Sequence, residues 1–203
     1  MNPNDVNAHL FYAHALSNTG RHQEALSEVK LARELDPLFA FTGALEGQFL
    51  FHAGRHDEAL DRLQKTLELA PNFWMPHSFT ALVYIDKRMY PEALAAARKA
   101  RALSAASTFS MGLESYTLAK MGNREESEKV LREMLEIGRT RGMPPTHLAT
   151  AYNGLGDTES ALGWLEKGFA ERDPKMTFLK VDPKLNNLRS SPRFIELMKR
   201  MKL

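Results

Sequence analysis

The sequence predicts an all-α fold in which five helical hairpins stack as a solenoid and a C-terminal capping helix follows them. Three observations carry that prediction. The heptapeptide GRHQEAL at 20–26 returns as GRHDEAL at 54–60, and further steps of 34 residues land on RMYPEAL at 88–94, GNREESE at 122–128 and GDTESAL at 156–162. Small residues recur in the same register, at Ala13, Gly47, Ala81, Ser115 and Ala149, and again at Ala25, Ala59, Ala93, Ser127 and Ala161. Pro37 and Pro71 fall at the same point of successive units, where a residue without an N–H stops a helix. A fixed period of this length marks units that cannot bury their apolar faces alone and must stack.

Within each unit the elements follow from the columns. Helices are predicted over 5–18 and 22–35, 40–53 and 56–69, 74–87 and 90–103, 107–121 and 124–140, and 145–155 and 158–172, with a tight turn at the glycine column. The units run 6–39, 40–73, 74–107, 108–141 and 142–174, so that residues 1–174 form the array and 175–203 the cap segment. The small columns belong where two helices approach closely. Val29, Leu63, Ala97, Leu131 and Leu165 lie one helical turn after the second small column and are predicted to be core. Leu35, Leu69, Leu103, Ile137 and Glu171 close the second helices. Units three and four carry Ala105 and Arg139 in place of the closing proline, and unit four has Ser127-Glu128 where others read Ala-Leu, which predicts looser packing there.

At the C-terminal end, Asp182-Pro183 and Asn186-Asn187 mark turns, and Ser191 is placed to cap a helix with Pro192 in its first turn. Phe194, Ile195, Met198 and Met201 form its expected apolar stripe. At the other end, Asn2-Pro3-Asn4 reads as the close of a preceding unit, so the first hairpin is expected to be uncapped and the chain to be a piece of a longer one.

Composition narrows the function. The 203 residues are 43% hydrophobic and 26% charged, which excludes a disordered chain. No run reaches the roughly 18–20 apolar residues that span a bilayer, and the start MNPNDVNAHL lacks the form of a signal peptide. A cytoplasmic setting is expected, with the periplasmic part of a membrane-anchored regulator as the alternative. The absence of cysteine removes disulfides, thiolate metal sites and cysteine nucleophiles. Residues 175–203 hold eight basic against two acidic side chains, leaving the remainder at −4 within an overall +2. Cations near the carboxyl end of a terminal helix suit the helix dipole, so that surplus is read as structural and no nucleic-acid or membrane partner is expected.

Sites for chemistry are scarce. The glycines at 20, 54, 122 and 156 are spread by the repeat and form no phosphate loop. His52 and His56 have metal-pair spacing, but Gly54 places them across a turn and no third ligand adjoins. No nucleophile-base-acid pattern is present, so catalytic residues, metals and cofactors are all expected to be none.

The 34-residue helix–turn–helix period and its small-residue columns, over about residues 6–173, resemble the tetratricopeptide repeat. That resemblance implies a right-handed superhelix whose first helices line a concave, peptide-holding groove. Its positions here carry Leu10 and His14, then Phe41, Leu45, Gln48 and Phe51, then Met75, Phe79 and Leu82, and finally Phe109 and Tyr116. Such a surface implies a non-catalytic scaffold for a protein partner, taking an apolar or amphipathic peptide or helix; the alternative is a homodimer, joined through the N-terminal hairpin or the groove. Members that clamp an acidic C-terminal tail use Lys, Asn and Arg at positions held here by Leu10, His14, Leu45, Met75 and Phe79, so that ligand is not expected. The segments ALGWLEKGFAERDP and VDPKLNNLRSSPRFIELMKRMKL look like the end of tetratricopeptide regions in bacterial multidomain signalling proteins.

Overall fold

A computed structural model describes residues 4–105 and 107–203. Its helices are α1 (Val6–Asn18), α2 (His22–Leu35), α3 (Ala40–His52), α4 (His56–Leu69), α5 (Trp74–Asp86), α6 (Tyr90–Leu103), α7 (Thr108–Lys120), α8 (Arg124–Arg141), α9 (Pro145–Gly154), α10 (Thr158–Ala170) and α11 (Pro192–Met201). Two 3-10 turns, Pro174–Phe178 and Pro183–Leu188, precede α11. No strand occurs among the described residues. The ten array helices end within two residues of the positions set by the repeat. The reading of Asn2-Pro3-Asn4 falls largely outside the described residues.

The two small columns are where paired helices meet. Ala13, Ala25, Ala59, Ala81, Ala93, Ala149 and Ala161 have no exposed surface, and a Cβ on Gly47 would lie 2.5 Å from the Leu63 side chain. Val29, Leu63, Ala97, Leu131 and Leu165 are buried behind them. Odd-numbered helices form the inner layer: α7 buries the whole run 110–118, whereas α8 buries only Ser127, Val130, Leu131 and Met134. Each turn places a left-handed residue at the glycine column. Gly20, Gly54, Gly122 and Gly156 have φ of +87°, +74°, +85° and +80°, and Arg88 takes +59° in the third unit.

Three expectations are corrected. Unit four is not loosened by its serines, because Ser115 and Ser127 are both fully buried and bond each other: Oγ to Oγ is 3.0 Å, and Ser127 Oγ donates to the Ser115 carbonyl at 2.8 Å. Ser191 occupies the cap position of α11 without a capping bond from its side chain. On that helix Leu197 is buried while Ile195 is 43% exposed, so the stripe turns about Phe194 and Leu197.

The last two inner helices approach more closely than the others do. Lacking a closing proline, α8 continues to Gly142, whose φ of +70° ends it, and α9 starts late at Pro145. Glycines then bring α9 onto α7. A Cβ on Gly154 would lie 2.5 Å from Tyr116 Cα, and one on Gly112 would lie 3.0 Å from the His147 carbonyl oxygen. This tight pairing is the geometry from which the C-terminal segment sets out.

Candidate functional site

The cap segment covers α10, but it also crosses the concave face. Asp173 starts the crossing: its buried carboxylate accepts from Thr146 N at 3.1 Å, Thr146 Oγ1 at 2.7 Å and Lys175 N at 2.9 Å. Nine residues later Asp182 caps the second 3-10 turn in the same way, accepting from Lys184 N at 3.0 Å. Between these two Asp-Pro-Lys turns, residues 175–185 form a strap. Thr177 Oγ1 accepts from Asn18 Nδ2 at 2.9 Å, tying the strap to the first hairpin across 159 positions of sequence. The Phe178 ring stands edge-on to two histidines, His14 at 5.1 Å and His52 at 5.8 Å between centroids. On the other side Asn153 Nδ2 donates to the Lys184 carbonyl at 2.6 Å and pairs with the Asn187 amide.

Under the strap lies one apolar cavity. Leu10, His14, Phe41, Leu45, Gln48, Phe51, Met75, Phe79, Leu82 and Phe109 all line it, so ten of the eleven groove positions converge. Tyr116 does not line it: the ring is buried against the close approach of Gly154, with Lys120 Nζ 5.2 Å from its centroid. Leu10 and Leu45 also belong to the core beneath the first two hairpins, with Leu16, Val29 and Phe49.

Other wall residues come from outside that set. His52, Trp74, Thr146, His147 and Thr150 join from the inner helices, and Lys175, Phe178, Leu179, Asp182, Lys184 and Leu185 from the strap. The strap was missed because its apolar residues also satisfy a capping role, Met176, Leu179, Leu185 and Leu188 packing with Phe194 and Leu197. The available signal was the doubled Asp-Pro-Lys, which spaces two helix-like turns around a Thr-Phe pair.

The electrostatics favour an uncharged interior. Burial pushes the His52 imidazole down to about 3 and His147 down to about 4, and it lowers His14, with the Lys175 ammonium acting in the same direction. His52 Nδ1 shares a hydrogen bond with Ser17 Oγ at 2.9 Å, and His147 Nδ1 one with Thr108 Oγ1 at 2.9 Å. A neutral His14 leaves the positions of an acidic-tail clamp without a cation. His52 and His56 diverge as their turn requires, His56 Nε2 reaching Asp86 at 3.0 Å. No cluster of three metal-ligating side chains occurs among the described residues.

Two of the cations near the C-terminus hold the terminal helix in place. Arg193 bridges Glu166 and Glu159, each at 2.7 Å, and holds α11 on α10. The Arg200 guanidinium lies 4.5 Å from the Phe169 ring centroid. Along the array, Glu46 receives Arg62 of its own hairpin at 2.7 Å, and Glu114 of α7 receives Arg98 at 3.2 Å and Arg101 at 2.9 Å from α6, tying neighbouring hairpins together. No described helix is long and apolar enough to cross a membrane.

A stack of helical hairpins around a concave face defines a helical-repeat solenoid. The tetratricopeptide-repeat family model matches residues 6–29, 40–65 and 146–167. Among solved structures, a thermophilic tetratricopeptide-repeat protein of Thermus thermophilus is similar with a TM-score of 0.67 at 18% identity, over 96% of this chain and 100% of that one. YrrB, described as a tetratricopeptide-repeat protein with an unusual peptide-binding site, gives 0.50 at 21% identity, over 88% and 92%. Yeast Tom70 gives 0.61 at 17% identity, over 98% of this chain and 43% of Tom70. No curated protein matches by sequence. The chain thus has the fold of these tetratricopeptide-repeat structures, and the family model matches it at three hairpins.

Proposed function

We propose that the chain is a non-catalytic protein-interaction scaffold whose concave groove takes an extended apolar or amphipathic segment of a partner protein, and that its own strap holds that groove until the partner displaces it. The observation that carries this reading is Phe178, seated between His14 and His52 on a segment that lies outside the repeat array. The groove accepts this side chain by ring contacts and accepts the neighbouring Thr177 by a single hydrogen bond, a mode a second chain can reproduce. The peptide-binding site described for YrrB supports it by analogy of fold. A cytoplasmic module of a larger bacterial signalling protein is the setting we favour, on the likeness of the C-terminal wording.

A labelled peptide spanning 173–185 tests the reading. It should bind a Phe178→Ala variant at least tenfold more tightly than the parent, and a peptide with alanine in place of its phenylalanine should bind neither. Equal, or absent, binding to parent and variant would refute the groove as a segment-binding site. A second reading, self-association, is favoured by Phe11 on α1 and Leu38 before α3, which are 74% and 75% exposed. Light scattering over a dilution series checks it: a dimer should appear and should dissociate in Phe11→Asp.

A further inference from the structure

The strap does not fill the space it closes. A cavity of about 270 Å³ remains with the strap seated, bounded by Phe51, Phe79 and Leu82 on the array side and by Phe178 and Leu179 on the strap. Sites for drug-sized ligands run from roughly 300 Å³ upward, so this volume suits a small molecule. Apolar side chains make up most of the wall, and the imidazoles among them are neutral.

Three charged side chains share that wall, and they do not cancel. Lys184 is 7% exposed and pairs with Asp182 at 2.7 Å, leaving no net charge there. Lys175 has no carboxylate within ion-pair distance among the described residues; its ammonium lies 5.4 Å from the Phe178 ring centroid, a weak substitute for a counter-ion. Burial lowers its pKa, and the Asp173 carboxylate opposes that shift. Two uncharged polar groups are also unspent. Gln48 is 5% exposed and makes no side-chain hydrogen bond among the described residues, and His147 Nε2 is buried without a partner. A cavity with apolar walls, one lysine held in no ion pair and spare neutral hydrogen-bonding groups is complementary to an anion with an apolar body.

We propose that the strapped cavity is a binding site for a small amphipathic carboxylate of the medium-chain fatty-acid class, with its carboxylate on Lys175 and its apolar body between Phe178 and the Phe51–Phe79 wall. This goes beyond segment binding, since it uses the space left when the groove is already occupied by the strap. The two readings therefore fail separately: a chain that ignores the 173–185 peptide can still bind the carboxylate.

Calorimetric titration of the full chain with decanoate, decanol and butyrate tests the site, with all three kept below micelle-forming concentrations. Decanoate should bind at a stoichiometry of one and at least tenfold more tightly than decanol or butyrate. Lys175→Met keeps the length and apolar stem of the side chain while removing its charge, and should abolish the preference for decanoate over decanol. Leu82→Trp, which fills the cavity, should weaken both. Circular dichroism of each variant confirms that it is folded before it is titrated. The proposal is overturned by the absence of saturable decanoate binding, by equal affinity for decanol, by a stoichiometry well above one, or by a decanoate preference that survives Lys175→Met.

Discussion

Acid should weaken this fold through two histidines, and the structure sets the size of the effect. His52 and His147 are held near 3 and 4, below an ordinary value of 6.5. Between those limits the unfolded chain binds protons that the folded chain refuses, so stability rises with pH there and is lost as pH falls below 6.5. At pH 5 each imidazole lies about 1.5 units below the unfolded midpoint and still above the folded one. At about 1.4 kcal/mol per unit, each costs about 2 kcal/mol relative to pH 8. The pair together cost about 4 kcal/mol, an upper bound that a local release of the strap would reduce. Asp182 and Asp173 oppose the shifts at the two sites, while Lys184 reinforces both. The ordinary carboxylate range ends near 4, so most acidic side chains remain ionised at about pH 5.

Urea unfolding at pH 8 and pH 5 measures the difference, and the double variant His52→Gln/His147→Gln should lose most of it. Imidazole proton shifts followed by NMR should show both rings still neutral at pH 5 in the folded parent. A double variant as acid-sensitive as the parent would refute the reasoning, as would rings that titrate near 6.5.

Three backbone and packing predictions follow from the same structure. Arg88 occupies with φ +59° the position that glycine holds in the other four turns, so Arg88→Gly should stabilise the chain by about 1 kcal/mol, read as a raised urea midpoint with unchanged slope. Gly154→Ala would drive a Cβ to 2.5 Å from the Tyr116 backbone and force α7 and α9 apart, costing about 2–3 kcal/mol and loosening the strap, visible as faster amide exchange around Thr177. Ser127→Ala should cost about 1 kcal/mol, because it removes the bond to the Ser115 carbonyl and the contact between the hydroxyls while Ser115 Oγ keeps the Ser127 carbonyl at 3.2 Å; adding Ser115→Ala should cost little more, since it rebuilds the alanine pair of units one, three and five.

Most of the array was legible because its period repeats a physical requirement. Each unit needs a small residue where two helices cross, an aliphatic one a turn later and a left-handed residue between the helices, and these appear in fixed register from Ala13 to Leu165. The groove followed from the same register, which is why ten of its chosen positions meet at one cavity. Tyr116 departed because the register assumes equal spacing between units, whereas Gly112 and Gly154 shorten one interval. The strap lay beyond the periodic part, where local pattern shows which residues are apolar but not which of two apolar surfaces they meet. Phe178 meets the two groove histidines, while the adjacent Leu179 also packs into the core of the cap.

The bond between Asn18 and Thr177 alters how such an array comes apart. A linear stack of repeats holds each unit by its neighbours alone, and thermal opening starts at whichever end has only one neighbour. Here the first hairpin is also fastened by residues that follow the last, so the chain has the connectivity of a ring. The first hairpin and the strap open together: opening α1 releases Phe178, and releasing Phe178 uncovers the face that the strap shares with the cap. Amide exchange in the first and last hairpins should therefore rise and fall together, and a cut anywhere between Arg172 and Thr177 should return the molecule to an open chain that unravels from its ends.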